Sequence, residues 1–194
     1  MRGDHLSIIH PDIRKAETLP SHFYTESATL DSILSSFGKH WHFVAHRNQL
    51  QSVNPIDNPL REPMLVTKEG EQIHCISNVC THRGMLICSK QSESRRLRCP
   101  YHGRTFNLNG QFRSMPEFSQ VENFPTDADD LTKYPLVEWK GLLFNTISAE
   151  NFEKFIQAVE SRVGWIEIEN FAHDITRHRE YTIKSNWALY VDNY

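Results

Sequence analysis

The chain has few cysteines and no long apolar run. Only 4 of its 194 residues are cysteine, and no apolar stretch approaches the roughly 20 residues that a membrane-spanning helix needs. The polar N-terminus, residues 1–5, lacks the apolar region of a secretory signal peptide. We therefore expect neither a membrane segment nor a secretory leader.

The chain also lacks an excess of charge. Its formal net charge is -3 at pH 7, which gives no reason to expect nucleic acid or an anionic membrane as a partner. A hydrophobic content of 39%, with 8 glycines and 9 prolines, is typical of a globular protein. A length of 194 residues suits one domain, or one domain with part of another.

Two of the four cysteines lie in short loops that each contain a histidine as well. The loops read Cys80-Thr81-His82-Arg83-Gly84 and Cys99-Pro100-Tyr101-His102-Gly103. A [2Fe–2S] cluster of the Rieske kind needs two cysteines on one iron and two histidines on the other. The loops meet this need if each sends one ligand to each iron, so the chain between them must fold back. The pattern predicts a cluster held by Cys80, His82, Cys99 and His102.

Two alternatives to an iron–sulfur cluster are open at these loops. A structural zinc ion also accepts two cysteines and two histidines. Zinc ligands, however, usually come as pairs of one type, whereas each loop here mixes the two types. The second alternative, loops without any metal, would not explain Gly84 and Gly103. Glycines directly after the ligand residues indicate a backbone that turns tightly around a bound group.

The remaining cysteines, Cys75 and Cys88, could pair in principle. Cys75 lies in a strand-like stretch, residues 73–76, where a small buried thiol is the commoner outcome. We therefore expect no disulfide. Free thiols fit a reducing, cytoplasmic location.

Apolar periodicity predicts a helix at residues 25–37, followed by a region rich in short strands. Strands are predicted at 40–45, 64–67, 72–76, 96–98, 105–108, 111–113, 136–139 and 142–145. Prolines at positions 55, 59 and 63 predict a loop, and residues 115–125 a long ordered one. Residues 40–147 are thus expected to form a small all-β domain of hairpins with both ligand loops at strand ends.

Beyond residue 147 the pattern changes. A helix is predicted at 148–165, a strand at 175–183, and an amphipathic helix from residue 186 to the last residue. That last helix has no stop signal, which predicts that the natural protein continues past Tyr194.

These features together resemble the front half of a Rieske-type non-haem iron oxygenase α subunit, of the aromatic-ring-hydroxylating dioxygenase α-subunit family. The resemblance covers the strand at 41–46, both ligand loops and the helix at 186–194. Arg83 and Tyr101 are more typical of the oxygenases than of free-standing Rieske ferredoxins. The segment 115–118 is similar to the choline, betaine and carnitine oxygenase branch.

The resemblance implies a mainly β fold, the Rieske [2Fe–2S] fold of antiparallel hairpins. An N-terminal leader and helix would occupy 1–39, the Rieske domain 40–147, and the α+β beginning of a catalytic domain 148–194. In the family, the iron–sulfur cluster relays electrons from an NAD(P)H-dependent reductase or a ferredoxin to a mononuclear iron that activates O2. That iron is held by two histidines and one carboxylate.

The family's iron ligands would follow the helix at 186–194. This stretch is therefore expected to carry electrons without hydroxylating a substrate by itself, and the alternative is a stand-alone Rieske ferredoxin-like carrier. The resemblance also implies a homotrimeric parent in which electrons cross between subunits, with Asp192 and Asn193 near the mononuclear iron or the subunit bridge. His173 and His178 share the spacing of the iron-binding pair, but they precede that helix and alternate on a predicted strand, so we expect solvated side chains.

Respiratory Rieske proteins carry an extra cysteine in each loop, at the positions of Met85 and Tyr101 here. They also carry hydroxyl residues after the second histidine, where Arg104 and Phe106 stand here. Hydrogen bonds to the sulfurs raise the reduction potential. Their loss predicts a potential near the low end of the Rieske range, roughly -150 mV.

Arginines crowd the two loops at positions 83, 95, 96, 98 and 104. They are either an ordinary solvated basic edge or a docking patch for an acidic electron donor. In the second case, salt should weaken the association with that donor.

Overall fold

The computed structural model describes residues 12–15, 20–58, 62–148 and 151–192. The chain divides into two compact units. One unit is Phe37–His173, and the other comprises the described parts of Met1–Ser36 and Asp174–Tyr194. The boundaries predicted at residues 40 and 147 stay predictions. No described helix is long and apolar enough to cross a membrane.

Within the described residues, the larger unit contains three antiparallel sheets and one longer helix, which confirms the predicted mainly β fold. The strands are β1 (His42–His46), β2 (Val53–Ile56), β3 (Met64–Glu69), β4 (Gln72–Ser77), β5 (Leu97–Arg98), β6 (Thr105–Phe106), β7 (Phe112–Ser114), β8 (Lys133–Tyr134), β9 (Leu136–Trp139) and β10 (Leu142–Asn145). The sheets have the strand orders β1-β10-β9, β2-β3-β4-β8 and β5-β6-β7. The predicted hairpin architecture is confirmed by the antiparallel pairs β3–β4, β6–β7 and β9–β10.

The main core lies between the four-stranded and the β5-β6-β7 sheets. Leu65 and Ile76 from the first sheet and Phe106 from the second are completely buried in it. Cys80 and Cys99 belong to the same core. Both ligand loops are therefore anchored by their cysteines in the apolar interior of the domain.

A second, smaller core covers the β1-β10-β9 sheet. The helix α3 (Phe152–Val163) begins after Asn151, whose Oδ1 accepts a hydrogen bond of 3.1 Å from the backbone N–H of Lys154. Its Ile156 packs with Trp41 and Phe144 from the sheet. The helix predicted at 148–165 is thus confirmed, but it begins later and ends earlier than predicted.

Strand β2 corrects the loop predicted around three prolines. Val53–Ile56 pairs with β3, and Pro55 lies opposite Leu65. The strand is at the edge of its sheet, where a proline without an N–H is tolerated because one side of the strand has no ladder to complete.

The strand predicted at 175–183 is wrong. Ile175–Arg177 forms a single 3-10 turn, and no strand among the described residues pairs with the segment. Tyr181 is 81% exposed. Alternating apolar and polar residues form a strand only where a neighbouring strand completes the backbone hydrogen bonds and the apolar face is buried. Among the described residues, neither condition is met at 175–183.

The smaller unit is helical. It contains α1 (Ser21–Thr25), α4 (Trp187–Asp192) and all of α2 (Ser27–Phe37) except its last residue. The helices predicted at 25–37 and from 186 are confirmed as far as residue 192, each with a later start. The side chain of Asn186 donates a hydrogen bond of 2.5 Å to the backbone O of Tyr24. The role that the resemblance gives to Asn193 falls outside the described residues.

Candidate metal centre

The two ligand loops make the same backbone turn. In the first loop, the N–H of Cys80 donates to the O of Met85 at 2.9 Å, and the N–H of Gly84 donates to the O of Cys80 at 3.0 Å. In the second loop, Cys99 donates to the O of Arg104 at 2.8 Å, and Gly103 donates to the O of Cys99 at 3.1 Å. Each cysteine thus opens a closed turn with a glycine four residues later.

The two glycines have the backbone conformation that the sequence predicts. The φ angles are 67° at Gly84 and 75° at Gly103, in the left-handed region that disfavours residues with a Cβ. Histidine stands two residues after the cysteine in the first turn and three after it in the second. The turns are equivalent, but they present their imidazoles from different positions.

The two thiols are buried next to each other. Cys80 is 3% and Cys99 2% exposed. Burial raises the pKa of the Cys80 thiol, and a hydrogen bond and charge interaction with Cys99 add to the rise. The backbone N–H of His82 and the charge of Arg104 oppose this shift without cancelling it. An iron ion at this pair would supply the positive charge that thiolate formation needs.

The two imidazoles form the outer half of the site. The ring centroids of His82 and His102 are 4.9 Å apart, and His102 is exposed whereas His82 is half-buried. Burial lowers the pKa of His82, and the nearby charges of His102, Arg83 and Arg104 lower it further. The neutral imidazole, which is the form that binds metal, is therefore favoured.

This donor set fits a binuclear cluster better than a single ion. A thiol pair lies inside and an imidazole pair outside, so each iron of a [2Fe–2S] cluster would receive two ligands of one type. Within the described ranges, no three His, Cys, Asp or Glu side chains gather as ligands of one metal ion.

Aromatic rings adjoin both histidines. The ring of Tyr101 stacks on His102 with centroids 3.7 Å apart, and Phe118 meets the edge of His82 at 6.0 Å. Phe118 belongs to the long loop predicted at 115–125, which the structure leaves without helix or strand. No local pattern predicts its contact with His82, because 36 positions separate the two residues.

The structure corrects the placement of Arg104 in an exposed basic patch. Its side chain is 3% exposed and lies 2.5 Å from the Oδ1 of Asp129. The other arginines of that patch, at positions 83, 95, 96 and 98, are exposed. Asp129 was not predicted to lie near the site, since nothing local links it to a loop more than 20 residues earlier.

The remaining candidates stay outside the site. His173 and His178 are both exposed, as expected, although not on a strand. All four cysteines are free. Burial raises the pKa of Cys75 to about 12, opposed by a hydrogen bond from Asn145, so Cys75 is an inert core thiol.

Part of the chain matches a known domain family, and most of it is similar to known oxygenase subunits. Residues 40–125 match the profile of the Rieske [2Fe-2S] domain. The carnitine monooxygenase oxygenase subunit of Escherichia coli (strain K12) is 29% identical over 192 residues, which cover 93% of this chain and 50% of that protein. The chloroplastic choline monooxygenase of Atriplex hortensis is 27% identical, over 92% of this chain and 43% of that protein.

The fold of this chain is also similar to solved structures of Rieske oxygenases. A crystal structure of a quaternary ammonium Rieske monooxygenase superposes with a TM-score of 0.70 at 25% identity, covering 77% of this chain and 44% of that one. Naphthalene 1,2-dioxygenase from Rhodococcus sp. shares the fold with a TM-score of 0.70 at 24% identity, over 80% of this chain and 37% of that chain.

These findings define residues 40–125 as a Rieske [2Fe–2S] domain. The chain that carries it is homologous to the oxygenase subunits of carnitine and choline monooxygenases and has the fold of the Rieske oxygenases. It spans about half the length of the curated relatives it matches.

Proposed function

We propose that the chain binds a Rieske [2Fe–2S] cluster through Cys80 and Cys99 on one iron and His82 and His102 on the other. One observation supports this assignment: two equivalent turns bring their cysteines together in the core and their imidazoles together outside it. The thiols are buried, and the centroids of the imidazoles are 4.9 Å apart. When bound, the cluster supplies one-electron transfer. The turns fix both ligand pairs, and the core excludes water from the thiol side.

The relay serves a mononuclear iron in the rest of the oxygenase subunit. The alignment with oxygenase subunits covers 93% of this chain, well beyond the Rieske domain itself. This extent supports an oxygenase part over the alternative, a stand-alone ferredoxin-like carrier. The exposed His102 and Tyr101 would then form the edge where electrons enter or leave the site.

The partner is an NAD(P)H-dependent reductase or a ferredoxin in the cytoplasm. The exposed arginines next to the loops favour an acidic surface on that donor. We infer a homotrimeric parent protein. The study of a related quaternary ammonium Rieske monooxygenase describes inter-subunit electron transfer, which supports an assembly of this kind.

The cluster assignment is tested by anaerobic purification, assays for iron, sulfide and zinc, and electron paramagnetic resonance. We expect two iron and two sulfide per chain and the low average g value of Rieske centres. Cys80→Ser and His102→Ala should each abolish that signal. Cys88→Ser, which changes a free thiol outside the ligand set, should keep it. Zinc without sulfide would refute the proposal.

A further inference from the structure

Arg104 is a buried cation that joins the two ligand loops. It follows His102 by two positions in the second loop. Its Nη1 donates a hydrogen bond of 2.7 Å to the Oγ1 of Thr81 in the first loop. Its Nη2 lies 2.5 Å from the Oδ1 of Asp129. One guanidinium therefore connects both loops to the segment that carries Asp129.

These contacts form a closed ring of hydrogen bonds in which Arg104 is buried, Asp129 is half-buried and Thr81 is exposed. The Oγ1 of Thr81 donates to the backbone O of Asp129 at 2.8 Å, so Thr81, Arg104 and Asp129 are bonded in a ring. The rings of Phe112 and Phe124 lie over the guanidinium at 4.9 and 5.5 Å. Because the side chain of Arg104 is itself only 3% exposed, its charge is screened less than that of an exposed arginine.

One donor of this guanidinium has no partner. In the part of the chain that the structure describes, the Nε of Arg104 is buried without a hydrogen bond. A buried donor without an acceptor is costly. The loops on either side of this guanidinium carry the proposed cysteine ligands. A sulfur atom of the bound cluster would be an acceptor for the hydrogen bond that the Nε–H lacks.

We propose that Arg104 is a positioning residue for the two ligand loops and that its charge raises the reduction potential of the cluster, with Asp129 as the offsetting charge. The inference rests on the proposed cluster site. Reduction adds one electron and therefore negative charge, which a cation fixed at the loops stabilises. Removal of Arg104 leaves Asp129 to disfavour reduction, and removal of the Asp129 charge leaves an uncompensated cation that favours it.

The test is a redox titration of the cluster in the full chain, followed by electron paramagnetic resonance. Arg104→Gln should shift the potential to more negative values, and Asp129→Asn should shift it to more positive values. Arg113→Gln, which changes an arginine on β7 that is not buried, should leave it unchanged. Both site variants break the same ion pair, so simple loosening of the structure would shift the two potentials in the same direction.

Shifts of equal sign in these two variants, or no shift in either, would overturn the inference. If Arg104→Gln takes up no cluster, Arg104→Lys replaces it, because a lysine keeps the charge but cannot contact Thr81 and Asp129 together. Arg104→Lys should then stay closer to the wild-type potential than Asp129→Asn, whose shift must still be positive. Wild-type protein without iron and sulfide would refute the proposed function itself, whereas a loaded wild type with the wrong shifts refutes this inference alone.

Discussion

The ring of Tyr101 lies nearly parallel to the imidazole of His102, with centroids 3.7 Å apart and 26° between the planes. Tyr101 is 58% exposed, so it is an outer cover of the imidazole and not part of the core. It fixes the orientation of a ligand that is itself exposed. The stability of the cluster should therefore depend on a surface tyrosine.

Replacing Tyr101 by alanine should accelerate loss of the cluster. An aromatic pair contributes about 0.5–1.5 kcal/mol, which corresponds to a rate increase of roughly 2- to 10-fold. The decay of the visible absorbance in the presence of an iron chelator measures this rate. Tyr101→Phe keeps the ring and should decay like the wild type. Equal rates for the alanine and phenylalanine variants would contradict a role for stacking.

The two turn glycines should differ in their tolerance of alanine. Gly84→Ala should lower the free energy of unfolding by about 1–2 kcal/mol, the cost of a left-handed residue with a Cβ, because nothing lies within 4 Å of the added atom. Gly103→Ala should cost more, since its Cβ would lie 3.3 Å from the Cγ of Pro116. Urea unfolding of the two variants measures the difference. A greater cost at Gly84 would contradict the steric argument.

Stability should fall at high pH through Tyr134. Burial raises the pKa of Tyr134 from 10.0 to about 12, and its hydrogen bond to Glu62 adds to the rise. The folded state thus holds the proton more tightly than the unfolded state. This contribution is fully present below pH 10 and is lost as the pH rises towards about 12.

Tyr134→Phe removes the titrating group and isolates this effect. The difference in unfolding free energy between wild type and Tyr134→Phe should shrink when urea unfolding is repeated at rising pH, through roughly 10 to 12. Tyr181→Phe changes a tyrosine that is 81% exposed and serves as the control. A constant difference for Tyr134→Phe would contradict the predicted titration.

Electron delivery should depend on salt if the exposed arginines dock an acidic donor. Arg96→Gln and Arg98→Gln should slow reduction of the cluster at low ionic strength and flatten its salt dependence. Stopped-flow reduction by the purified donor measures the rate. Arg177→Gln, which changes an exposed arginine outside the Rieske domain, should behave like the wild type. Unchanged rates in the two docking variants would leave the patch an ordinary solvated edge.

The reduction potential should lie near the low end of the Rieske range, roughly -150 mV. The hydroxyl closest in sequence to the second histidine on its C-terminal side, that of Thr105, is 2.7 Å from the hydroxyl of Ser114, so it is already engaged within the sheet. Redox titration of the wild type gives the value. A clearly positive potential would contradict this prediction and would mean that other groups, such as the buried Arg104, outweigh the missing hydroxyls.

Features that depend on neighbouring residues can be predicted from the sequence. The hairpin turn after β3 and the turns at Gly84 and Gly103 follow from glycines whose φ is positive, and such positions are visible in a single sequence. The residue types of the four proposed ligands can likewise be predicted, because each loop contains its cysteine and histidine within four positions.

Features that depend on distant residues cannot be predicted in this way. Arg104 belongs by sequence to a basic cluster, and only the approach of Asp129 from another loop makes it a buried ion pair. Alternation at 175–183 predicts a strand, but no described strand pairs with it. Pro55 indicates a loop, and only the position of β2 at a sheet edge makes a strand tolerable there.

The two ligand loops begin from different sheets. The first follows β4 of the four-stranded sheet, and the second connects β5 to β6. A cluster bound by both would cross-link two sheets that also share a core and a backbone hydrogen bond of 2.9 Å from the N–H of Leu131 to the O of Gly110. Loss of the cluster would then leave the two sheets held by their shared core alone, and resistance to proteolysis should fall with the fraction of protein that has lost its cluster.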